Sequence, residues 1–135
     1  MLSPSTFRRI FLASAWYDLA VTAAFATPWT VGLLYGVFGA IHVWLGLPVL
    51  QPLSPEGLLF TNFFGSVVIV WAILRIRSGL IWLAPYDATT RLLFSAWMIH
   101  ALLNGASPLL WGFLVVELAF GILQLLPTKP PQTPA

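Results

Sequence analysis

The chain has 135 residues, of which 59% are hydrophobic and 7% charged, with no cysteine and a formal net charge of +2; its mean hydropathy is +0.91. About a quarter of the residues in an average soluble domain are charged, so these values point to a lipid-embedded chain with room for one domain. Six basic residues without a basic face argue against nucleic acid, and the lack of cysteine excludes disulfides, thiolate metal sites and a cysteine nucleophile.

Arg8 and Arg9, an apolar run and then Ala24, Phe25 and Ala26 imitate a secretory signal. Tyr17 and Asp18 interrupt the apolar stretch that such a signal needs, so residues 6–26 read as a first spanning helix. Four more apolar segments follow, at 30–47, 57–74, 88–105 and 109–126. Each is at or above the roughly 17 residues that a tilted span requires at minimum. Prolines and glycines punctuate them: Pro28, then Pro48, Pro52 and Pro55, then Pro85, then Gly105 and Pro108, then Pro127. The bundle is expected to occupy residues 1–127 as a single domain, with 128–135 a mobile proline-rich tail.

Charge placement decides how many segments cross, because Lys and Arg near helix ends collect in the cytoplasm. If all five cross, Arg8 and Arg9 are separated from Arg75, Arg77, Arg91 and Lys129. If the second segment stays outside, all six basic residues fall on the cytoplasmic side. The expected fold is therefore an all-α integral membrane protein with four transmembrane helices, both termini cytoplasmic, and an additional glycine-rich helix on the outer face; five spans are the alternative. Residues 30–47 suit the outer position, because Gly32, Gly36, Gly39 and Gly46 each weaken an isolated helix by about 1 kcal/mol relative to Ala. Trp29, Tyr35 and Trp44 suit a headgroup interface. A bacterial inner membrane is the expected location.

Ionisable groups within a span are costly unless paired, which makes each a candidate for function. Three qualify: Asp18, His100 and Glu117. Asp18 is nine residues from Arg9, His100 nine from Arg91 and Glu117 nine from Leu126, which would place all three about 13–14 Å from the inner boundary. Stripes of polar or small residues accompany them: Ser14, Asp18 and Thr22; Asn62 and Ser66 with Gly65; His100 and Asn104; Glu117, Gly121 and Gln124. Facing inward, they would form a polar seam opening outward through Asn62 and Asn104 beneath His42, with Trp97 as an apolar wall. A bis-histidine haem would need His42 and His100 at one depth, and a metal held by His100, Glu117 and Asp18 lacks a signature such as HExxH. No cofactor is assigned, and enzymatic activity is left open. The leading expectation is a small, largely apolar ligand or lipid held in the seam, with Asp18, His100 and Glu117 as charged or proton-exchanging groups. The alternative is a non-catalytic accessory or oligomer-forming subunit, in a homo-oligomer or larger membrane complex, whose polar residues are interhelical glue; a lipid- or quinone-modifying enzyme is third.

Overall fold

Three of the five helices begin with the same device, a hydroxyl residue followed by proline. Ser3, Thr27 and Ser54 each accept a backbone N–H three residues on, from Thr6, Thr30 and Gly57 at 3.1, 3.2 and 3.1 Å. Pro4, Pro28 and Pro55 fill the first helical position, where a missing N–H costs nothing and the fixed φ is already helical. In the computed structural model, which describes residues 1–128, the helices are α1 (Pro4–Thr22), α2 (Pro28–Trp44), α3 (Pro55–Ser78), α4 (Ala84–Leu103) and α5 (Leu110–Leu125). Short 3-10 turns at Ala23–Phe25 and Ile81–Leu83 follow α1 and precede α4. Among the described residues there is no strand, only one isolated bridge between Leu2 and Thr128. The expected proline-rich tail lies outside the described residues beyond Thr128.

Helix ends are equally local. Beyond α2 and α4 the backbone turns left-handed at Gly46 (φ 66°) and Gly105 (φ 84°). Leu47 N–H then reaches His42 O at 2.8 Å and Ala106 N–H reaches Ala101 O at 3.0 Å, closing both helices on their own last carbonyls. Between α1 and α2 the chain bends by 97°. Thr27 is extended (φ −133°, ψ 151°), as the residue before a proline prefers to be, so the helix cannot run on through Pro28.

Close contacts divide the chain into two units, one of Met1–Ser14 with Ser78–Ala135, the other of Ala15–Arg77. In the first, α4 and α5 pack as an antiparallel hairpin. Residue 91 meets 117, residues 88 and 91 meet 121, and residue 87 meets 124, so one index falls as the other rises. Phe7, Phe11, Leu83, Ala84, Ala88 and Leu114 supply its buried apolar side chains. In the second unit Ala15, Val31 and Ala72 are buried together with Asp18, Thr22, His42 and Arg75.

Arg75 and Arg91 are 0% and 2% exposed, whereas Trp44 is 83%, Leu103 81% and Phe60 69% exposed. Among the described residues one helix, α3, is by itself long and apolar enough to cross a membrane, and its most apolar 18-residue stretch is only 11% buried.

Candidate functional site

The centre of the first unit is Arg91, on the face of α4 turned toward α5. Its Nε donates to Asp87 Oδ2 at 3.0 Å, one helical turn earlier, and its Nη1 donates to Glu117 Oε2 on α5 at 2.7 Å. Nη2 lies 3.4 Å from the Ser14 carbonyl of α1. Gln124 completes the cluster, donating through Nε2 to Ser14 Oγ and to Asp87 Oδ2, both at 2.8 Å. Gln124 Oε1 is buried with no hydrogen-bond partner. Gly121 lies at the contact between the two helices: a Cβ there would stand 3.4 Å from Arg91 Cβ, 3.7 Å from Leu92 Cδ2 and 3.8 Å from Ala88 O, so a methyl group would just fill the space. The guanidinium also sits 5.2 Å from the Phe120 ring centroid, a further favourable contact for a cation held away from water.

The second unit repeats the principle with one pair. Arg75, fully buried on α3, donates through Nη2 to Asp18 Oδ2 of α1 and lies 5.7 Å from the Trp71 ring. About three turns earlier, α3 receives the corner at the end of α1. Asn62 Nδ2 donates to Phe25 O at 2.9 Å, occupying a carbonyl that the helix end leaves without an intrahelical donor. A Cβ on Gly65 would stand 2.5 Å from Phe25 C and 2.7 Å from Ala26 N, which is no space at all, so only glycine admits the corner. His42 is buried, and its Nδ1 lies 2.7 Å from Pro48 O; with that nitrogen as donor, the ring holds the turn beyond α2.

Of the residues singled out in the sequence, Asp18, Glu117, Asn62 and His42 therefore all bond to their own unit's helices or turns. His100, Asn104 and Trp97 behave differently. All three are exposed, and Asn104 Nδ2 bonds back to His100 O at 2.8 Å while standing 3.5 Å from His100 Nε2. The expectation that Glu117 and His100 share one depth is corrected. Glu117 is level with Arg91, and His100 lies nine residues further along α4, about 13 Å. Arg91 is not a boundary charge, because α4 starts at Ala84 and Arg91 is buried seven residues inside it. Ser14, Asp18 and Thr22 are buried as one stripe, but Ser66 is exposed.

Arg75, Arg91 and Asp87 were not recognised as members of buried ion pairs, whereas Gln124 stood in the polar stripe with Glu117 and Gly121. One signal was present, the opposite charges of Asp87 and Arg91 four residues apart, the spacing that places two side chains on one helical face. Arg75 carries no such mark, because its partner is 57 residues away. An apolar groove, open to the surface, lies at the α1–α2 corner, lined by Ala23, Ala24, Thr30, Leu33, Leu34 and Val37. No group of three or more His, Asp or Glu able to hold a metal occurs among the described residues. Comparison with protein-family models, with curated proteins and with solved structures finds no match.

Proposed function

We propose that the chain is a polytopic membrane protein with α1, α3, α4 and α5 as spans, and that its intramembrane charges are structural ties in a non-catalytic membrane subunit. The observation that carries this reading is the pairing of every acid singled out within the spans with an arginine: Asp18 with Arg75 and Glu117 with Arg91. In hydrocarbon an isolated charge is expensive and a paired, hydrogen-bonded one is tolerable, so this is how a bundle would hold charge without using it on a ligand. Support for the lipid setting comes from α3, which joins a mean hydropathy of 2.0 to 11% burial; the core helix of a soluble protein would be covered.

The 97° bend suits an α2 that turns along the outer face. The helix formed by α1 and its 3-10 turn, Pro4–Phe25, is about 33 Å long, enough for a core of roughly 30 Å. Arg8, Arg9 and Arg77 remain exposed and fall together on the cytoplasmic side of the four-span arrangement.

The test is a substitution series in detergent. Arg91→Met alone leaves two carboxylates buried and should lower unfolding free energy by about 3–5 kcal/mol. Adding Asp87→Leu and Glu117→Leu removes the stranded charges and should restore most of it. A single variant as stable as the parent would refute the structural role. A second reading, a bound apolar molecule, is favoured by the groove at the α1–α2 corner. An apolar compound retained at one equivalent by the purified chain, and lost on Leu33→Trp, would select it.

A further inference from the structure

The ion-pair network leaves one charged surface of the first unit unused. Arg8 and Arg9 are exposed, while the acids of that unit, Asp87 and Glu117, are turned inward on Arg91 with side chains 3% and 13% exposed. Its outward-facing described charge is therefore wholly cationic. Arg8 is folded down onto the turn before α4, its Nη2 3.5 Å from where a Cβ on Gly79 would stand. From that turn Leu83 is buried as an anchor, while Trp82 and Tyr86, each 63% exposed, project outward. Their rings meet edge to face, 6.0 Å apart at 87°, with Ile81 exposed beside them. The two ends of the described chain are tied to each other, since Leu2 N–H donates to Pro127 O at 3.0 Å.

We infer that Arg8, Arg9, Trp82 and Tyr86 form a recognition surface for the headgroups of anionic phospholipids. This rests on the membrane reading above and adds a lipid class to it. Uncompensated guanidinium groups complement phosphate and acidic headgroups, and Arg matches phosphate oxygens two at a time. Trp and Tyr rings settle at headgroup level, with their polar edge wet and their apolar body in the acyl boundary. A soluble anion would need the arginines alone; exposed Trp82 and Ile81 beside them fit only a partner with an apolar region below its charge.

The experiment uses the full chain in detergent, offered equal amounts of phosphatidylglycerol and phosphatidylcholine, with retained lipid counted by native mass spectrometry. Phosphatidylglycerol should be preferred. Arg8→Gln and Arg9→Gln should each reduce that preference about five-fold, the equivalent of roughly 1 kcal/mol per cation at a membrane surface. Arg8→Lys should keep most of it, and Trp82→Ala should weaken retention of both lipids. Both arginines are exposed, so an unchanged melting midpoint without lipid shows that these variants fold. Equal retention of the two lipids by the parent, no effect of the double Gln variant, or full displacement of lipid by inorganic phosphate would overturn the inference. Alkaline carbonate distinguishes the two levels: a chain washed off membranes defeats the membrane reading and this inference with it, whereas a chain that stays bound without lipid preference defeats this inference alone.

Discussion

Gly65 and Asn62 act on one backbone corner and show how a residue type acquires its role. In sequence they form part of a small-polar stripe suited to a seam; in space Asn62 satisfies Phe25 O and Gly65 admits the Phe25–Ala26 backbone. Gly65→Ala introduces a methyl carbon into a gap of 2.5 Å, and overpacking of this kind costs about 1–3 kcal/mol. Against backbone rather than a flexible side chain, the upper end is expected, and thermal unfolding of the purified variant measures it. An unaltered midpoint would mean that the corner is not held there. His100 shows the opposite case. A candidate site residue by its position in an apolar run, it is exposed with Asn104.

At the scale of the element, the sequence was most legible where structure is local. Five apolar segments appear as five helices, and two of the prolines read as breaks, Pro28 and Pro55, stand at the first helical position of α2 and α3. α3 illustrates the rule: Ser54 caps it and Glu56, in the first turn, lies outside the apolar stretch that begins at residue 57. Hydrogen bonds from its own backbone N–H, then from Ser54, hold the Glu56 carboxyl below the ordinary value of 4.5. A lowered folded value means that the ionised form supports the helix start. That support is complete above pH 4.5 and disappears as pH falls through the folded value. Following the Glu56 carboxyl by NMR, Ser54→Ala should move its midpoint part of the way back up, since the backbone bond, the larger cause, remains; a midpoint that does not move would remove Ser54 from the account. Helix limits were less legible for α3 and α4. α3 runs past its apolar segment at both ends and α4 begins four residues before its own, because Arg75 and Asp87 are neutralised in ion pairs and need not mark an end.

For the whole molecule, the membrane reading proposed above turns on how many times the chain would cross. The absence of natural cysteine makes labelling direct. With an impermeant maleimide, Ser5→Cys and Ser78→Cys should react from the same side and Thr61→Cys from the other if α2 remains outside. Ser5 and Ser78 on opposite sides would establish five spans. The basic residues still favour the first outcome, although two of the six used in the count, Arg75 and Arg91, are buried partners rather than free boundary charges.

Composition, hydropathy and the proline and glycine punctuation were sufficient by themselves to determine an all-helical chain and roughly where most of its helices begin and end. These depend on neighbouring residues: a cap, a ring that fixes φ, a run of apolar side chains. Only the tertiary structure decided which acid meets which arginine, that Glu117 is level with Arg91 rather than His100, and that Gly65 and Gly121 are contact points. Those pairings join residues 26 to 57 positions apart, and their energy comes from two helices removing each other's charges from an apolar surrounding, a term that no single stretch of sequence contains.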